Sequence, residues 1–221
     1  MNPVVVKCGG AVAAGAADLI LELAEHEPVV VVHGAGPQIS AEMKRRGLDV
    51  QFLGGRRVTC KDALEVVRGS LYDVNATLCA AIGELAVPLF GDQIGLRATQ
   101  VPMLGLVGDP IPCAPLQVVA ALDEGLIPVV APLAAGPLNV NADEMAAALA
   151  VGLDAERILF VTDVPGLLDG GVVVPVIDAE EAAALLDAGV FEGGIIPKLR
   201  AAITAAQLGV RAEIGRTAVV A

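Results

Sequence analysis

Val4-Val5-Val6-Lys7-Cys8-Gly9-Gly10 is the stretch on which the fold turns. A valine run bounded by glycine predicts a short strand covered on both faces, as in a parallel sheet. Glycines directly after a strand let backbone N–H groups approach an anion. A lysine at that corner adds a mobile positive charge suited to phosphate. Taken alone, the stretch is better explained as an ordinary strand end with a turn, and it gains meaning only from its counterparts downstream.

The first counterpart is Val29-Val30-Val31-Val32, closed by His33-Gly34-Ala35-Gly36-Pro37 and followed by helical periodicity to Arg46. Strand, glycine-rich turn and helix form the layout of an anion site at a helix N-terminus, although a plain tight turn explains the glycines as well. His33 has no visible partner for proton transfer and is assigned a structural role. Phe52 to Thr59 predicts a hairpin whose adjacent Arg56 and Arg57 could clamp a carboxylate, or form a solvated basic turn. A long helix is expected from Ala63 to Leu85, interrupted near Gly69 and capped near Thr59 or Asp62.

Further strands are expected at Val87–Phe90, Ile127–Ala131 and Arg157–Val161, with loops and short strands across 91–115. Asn139, Asn141 and Asp143 stand at alternate positions before an Ala-rich helix. One such residue suffices as a cap, and an aspartate there could also hold a lysine in place. The last helix is expected from about Leu199, after Gly193-Gly194-Ile195-Ile196-Pro197-Lys198. Alternating strands and helices predict an α/β fold, a three-layer αβα sandwich around a mostly parallel central sheet. Ligands in such sheets sit at the carboxyl ends of the strands.

Composition narrows the chemistry. Residues are 55% hydrophobic but only 2% aromatic, so Ala, Val, Leu and Ile must build the core. A net charge of −12 without a basic block argues against nucleic acid and anionic membranes. Cys8, Cys60, Cys79 and Cys113 are scattered, with no CxxC pair, which predicts small apolar fillers in a reducing compartment and no metal site. No apolar run is long enough to span a bilayer, and a cytoplasmic location is expected.

In order along the chain, Val6-Lys7-Cys8-Gly9-Gly10, Val32 to Pro37, Gly55-Arg56-Arg57-Val58-Thr59, Asn139 to Asp143, Thr162 to Asp169 and Gly193 to Lys198 resemble the motifs of the amino-acid kinase family. The resemblance covers nearly the whole chain, 1–221, as a single kinase domain with approximate lobes 1–135 for an acylated amino acid and 136–221 for ATP. It implies phosphorylation of the side-chain carboxylate of N-acetyl-L-glutamate by ATP, in arginine biosynthesis. It leaves open a 2-aminoadipate derivative of lysine biosynthesis, and a kinase-like binder without activity. Lys7 and Lys198 would neutralise the transferring phosphoryl group, with Asp143 orienting both. Arg57 and Asn139 would hold the acyl amino acid, and Gly34 and Ala35 would offer backbone N–H groups near the reacting carboxylate. Gly9, Gly10, Asp163, Val164, Pro165, Gly166, Leu167 and Leu168, with Val190, Phe191 and Glu192, would line the nucleotide site. Mg²⁺ would be held mainly through the phosphates. Only Met1-Asn2-Pro3 precede the first strand, from which the resemblance implies a homodimer insensitive to arginine rather than a hexamer.

Overall fold

The computed structural model describes residues 2–10 and 14–221. β1 (Val4–Cys8) leads through α1 (Ala17–Ala24) to β2 (Val29–His33) and α2 (Gly36–Arg45). The hairpin β3 (Phe52–Leu53) and β4 (Arg56–Arg57) precedes α3 (Lys61–Ile82) and β5 (Ala86–Phe90). The pair β6 (Ala98–Gln100) and β7 (Gly108–Pro110) comes before α4 (Leu116–Asp123) and β8 (Ile127–Ala131). β9 (Leu133–Ala134) and β10 (Leu138–Asn139) run into α5 (Ala142–Gly152) and β11 (Arg157–Phe160). β12 (Leu168–Asp169), β13 (Val172–Val173) and β14 (Val176–Asp178) precede α6 (Ala179–Asp187), α7 (Ile195–Gln207), β15 (Arg211–Ile214) and β16 (Thr217–Val220).

Eight strands form one sheet in the order β14-β16-β15-β11-β1-β2-β8-β5. Every neighbouring pair is parallel except β15 with β16. β1 sits near the middle, and all five of its residues are buried, as the valine run requires. Its side chains alternate between two apolar layers. Val5 packs with Met145 and Leu149 of α5 and Leu199 and Ala202 of α7. Val4, Val6 and Cys8 pack on the other face with Ile20 of α1 and Leu78 and Ile82 of α3. The mostly parallel αβα sandwich expected from the sequence is the fold observed. Among the described residues no helix is long and apolar enough to cross a membrane.

Three boundaries differ from expectation. α3 runs unbroken through Gly69, because the buried face at Val66, Val67, Ser70 and Leu71 outweighs the roughly 1 kcal/mol helical cost of one exposed glycine. Its N-cap is Cys60, between Thr59 and Asp62 near which the cap was expected, and Cys60 makes no side-chain capping bond. α7 begins at Ile195, four residues before Leu199, which puts Pro197 and Lys198 in its first turn. Proline is tolerated there because first-turn N–H groups have no partner within the helix.

Candidate active site

The chain leaves β1 for β2 on one side and later returns to β11 on the other, so the crossover direction reverses at β1. A crevice opens at the carboxyl ends of strands at such a point. Three helices begin there: α2 after Ala35, α5 after Asn141 and α7 after Gly194, and all three starts line one cleft of about 310 Å³. The positive dipole ends of these helices favour an anion. The side chains agree, since Lys7, Arg56, Arg57 and Lys198 face the cleft, with Asp143 as the one lining carboxylate among the described residues. A chain of net charge −12 thus concentrates cations at this point.

Strand period explains the central pair. Lys7 lies two residues after Val5 and so emerges on the α5 face. There Lys7 Nζ stands 2.8 Å from Asp143 Oδ1, both side chains being more than nine-tenths buried. The approach is an ion contact without hydrogen-bond alignment, so this oxygen still lacks an aligned donor. Lys198, half-buried in the first turn of α7, completes the group. Burial lowers its pKa, and Lys7 lowers it further, while Asp143 and Asp163 oppose. Asn141 does the capping: its Oδ1 accepts from the backbone N–H of Asp143 at 2.8 Å and of Glu144 at 3.3 Å. Asn139 and Asp143 are thereby free of that duty.

Arg57 is the second buried cation of the cleft, 6% exposed. Its Nη2 donates to Ser40 Oγ at 2.8 Å and to the Gly36 carbonyl at 3.1 Å, and its guanidinium lies 4.6 Å from the Phe52 ring centre. No carboxylate pairs with it among the described residues. Burial lowers its pKa, but an arginine stays charged. A buried cation of this kind is poorly compensated and suited to an incoming anion.

The two glycine turns are packed against each other. Gly34 N donates to the Cys8 carbonyl at 2.9 Å, extending the β1–β2 ladder, so contrary to expectation its N–H is not offered to a ligand. A Cβ at Gly10 would lie 2.8 Å from the Gly34 oxygen and 2.9 Å from Ala35 Cα. Ala35 has φ −140°, outside the left-handed region, so its methyl group costs no backbone strain. His33 is fully buried: its Nε2 lies 3.0 Å from Asn75 Nδ2 of α3, and burial lowers its pKa to about 4.

A second cleft, of about 660 Å³, adjoins the first. It is lined by Asp163, Val164, Pro165, Gly166, Leu167 and Leu168 from the turn after β11, and by Val190, Phe191 and Glu192 from the segment before α7. Gly194 and Lys198 line both clefts. Gly9 and Gly10, grouped with the nucleotide residues from the sequence, line the first cleft and not the second.

The long-range side-chain bonds of two threonines escaped the sequence reading. Thr59 Oγ1 accepts from Asn139 Nδ2 at 3.0 Å and donates to the Arg57 carbonyl at 2.9 Å, joining β10 to the arginine strand. Thr217 Oγ1 accepts from Leu167 N at 2.8 Å and pins the turn of the second cleft to β16. Asn139 and Leu167 lie 80 and 50 residues from these threonines, beyond the reach of any local pattern.

The amino acid kinase family model matches residues 2–216. The chain belongs to that family. Among its relatives, an acetylglutamate kinase of Rubrobacter xylanophilus is 42% identical, over 97% of this chain and 88% of its own. An acetylglutamate kinase of Thermus thermophilus is 39% identical, over 92% and 86%. Among solved structures, the smu.665 protein of Streptococcus mutans superposes with a TM-score of 0.87 at 28% identity, covering 99% of this chain and 98% of that one. Membership in a kinase family makes ATP the phosphoryl donor.

Proposed function

We propose that this chain transfers the γ-phosphoryl group of ATP to the side-chain carboxylate of N-acetyl-L-glutamate, giving an acyl phosphate and ADP, as a step of arginine biosynthesis. The observation that carries the reading is Arg57, buried without a carboxylate in the same cleft as the Lys7–Asp143–Lys198 group. The names of the relatives support the substrate.

The chemistry needs no general base, because a carboxylate is already ionised at neutral pH. A side-chain carboxylate oxygen attacks the γ-phosphorus, the bond to the β,γ-bridging oxygen breaks, and ADP departs with that electron pair. What the protein must supply is alignment of two anions and countercharge for the phosphoryl oxygens. Lys7 and Lys198 supply charge, and Asp143 between them keeps both ammonium groups in place. Arg57 and Asn139 bind the acyl amino acid, and Ala35 at the start of α2 adds an N–H donor, the Gly34 N–H being held by the Cys8 carbonyl. The second cleft takes the nucleotide, so that Lys198, lining both clefts, stands where the phosphoryl group crosses.

Mg²⁺ would enter as the counter-ion of the nucleotide, held mainly through its phosphates. On this reading 1–135 form the acyl-amino-acid lobe and 136–221 the ATP lobe of a single domain. The free state of all four cysteines fits a cytoplasmic location. We also place a homodimer contact on α3, whose exposed Tyr72 stacks on Phe90 at 5.0 Å. Light scattering at micromolar concentration tests it, a monomer being the contrary result.

ADP release in a coupled assay tests the activity. Turnover with N-acetyl-L-glutamate is expected. Turnover confined to an acylated 2-aminoadipate would move the reading to that substrate, and calorimetric binding without turnover would make the protein a non-catalytic binder.

A further inference from the structure

The hairpin carrying Arg57 is tied down by its neighbour. Successive strand residues point to opposite faces. Arg57 turns into the core beside Ser40, whereas Arg56 turns toward α5 and β7. Arg56 Nε donates to Glu144 Oε1 at 2.8 Å, and Arg56 Nη1 stands 2.5 Å from Asp109 Oδ1. The pairs join segments far apart in the chain: hairpin, α5 start and β7. The rest of the hairpin holds itself poorly, since β3 and β4 have two residues each and Phe52, Leu53, Gly54 and Gly55 are exposed.

We propose that Arg56 is a positioning residue: through Glu144 and Asp109 it clamps the β3–β4 hairpin to the start of α5, fixing Arg57 relative to Asp143. The inference rests on the acyl-amino-acid reading of the first cleft. Glu144 follows Asp143 directly, so the clamp joins the backbone bearing the substrate-binding arginine to the backbone bearing the aspartate between the two lysines. Arg56 itself is ill-suited to hold a substrate carboxylate, since two protein carboxylates already occupy its fork. Burial acts to lower its pKa, but Glu144 and Asp109 outweigh that and raise it, so it stays cationic. Arg57, with no carboxylate, has the opposite surroundings. The tandem arginines thus divide the work: one binds, the other positions.

The test uses Arg56→Met, Glu144→Gln, the double variant and Arg56→Lys, each in the full chain. Steady-state kinetics for both substrates and amide hydrogen exchange of residues 52–57 are measured. Arg56→Met is expected to raise KM for the acyl amino acid about tenfold while KM for ATP changes less than about twofold. Exchange in the hairpin should accelerate, with the β1 and β2 amides unchanged. The double variant should be no worse than Arg56→Met alone, and Arg56→Lys should recover part of the loss by keeping one ion pair. Unchanged hairpin exchange, or equal rises in both KM values, would overturn the clamp. If the wild-type protein does not turn over N-acetyl-L-glutamate, the functional reading fails, while the exchange measurement still decides the clamp.

Discussion

The two clefts share Gly194 and Lys198 and differ in nearly everything else. The first is lined by buried charges: Lys7, Asp143 and Arg57 are each at most 6% exposed. The second is lined by a turn in which Asp163, Val164, Pro165 and Leu168 are exposed, with only Gly166 and Leu167 buried. Holding charges out of water is costly, and they persist only where the surrounding fold fixes them. The first cleft is therefore pre-organised by the sheet and three helix starts, as charge stabilisation demands. On the proposed reading the second takes a nucleotide, which brings its own charges and its own rigid base, so that cleft needs fewer fixed ones. The contrast predicts that substitutions in the first cleft act on kcat or on acyl-amino-acid KM, and substitutions in the second on ATP KM.

Lys198→Ala should give the largest effect, a fall in kcat of about 10²- to 10³-fold with modest changes in KM, in the range seen when a transition-state charge partner is removed. It is a cleaner probe than Lys7→Ala, which strands the buried Asp143 carboxylate and should also lower stability by about 3–5 kcal/mol. Steady-state kinetics beside a urea melt separate the two. A stable Lys198→Ala enzyme with normal kcat would erase the distinction drawn for the shared residue.

Next comes Arg57→Ala, expected to raise KM for the acyl amino acid by about 10- to 100-fold, the worth of a hydrogen bond to a charged group. KM for ATP should hold. A matched loss for both substrates would mean that the first cleft is not specific to one of them.

Thr217→Val sharpens the other side. It keeps the shape, removes the acceptor for Leu167 N–H, and should raise KM for ATP by roughly fivefold, the equivalent of about 1 kcal/mol. Acyl-amino-acid KM is the control, and movement there instead would assign the β16 contact to the wrong cleft.

The smallest effect is one of pH. Burial holds the Lys198 pKa below the ordinary 10.5. Its charge is present below the folded-state pKa and disappears as pH rises through it. The alkaline limb of kcat/KM for ATP, which reports the free enzyme, should therefore begin below pH 10.5, and Lys198→Arg should remove it. Stability has its own sign. Between the depressed folded pKa and 10.5 the unfolded chain holds more protons, so the contribution of Lys198 to stability rises with pH there and is lost as pH falls through the folded value.

Much of this was legible in the sequence for a physical reason. Val4–Val6 and Val29–Val32 have no polar alternate positions, and only a doubly covered strand accommodates that. Lys7, Gly34, Arg57, Asn139 and Asp143 stand at strand ends or helix starts, where local pattern reveals position. The failures are equally local. A proline before a helical run reads as lying outside it, whereas Pro197 sits inside the first turn, and Gly69 reads as a break that buried packing overrides. The different fates of Arg56 and Arg57 were hidden because identical neighbours diverge only once a strand gives them opposite faces. Thr59, Thr217 and Glu144 act through partners distant in sequence.

The ends of the open sheet matter for a chain that is 55% hydrophobic. β5 closes one side and carries Pro88, which has no N–H to offer an approaching strand, and β14 closes the other with three residues before the chain turns into α6. An edge that lacks a donor and an edge that ends at once are poor templates for another chain. Replacing Pro88 by valine would restore that donor beside Val87 and Leu89, so the cost of this change would be paid as aggregation on concentration or refolding and not as lost catalysis.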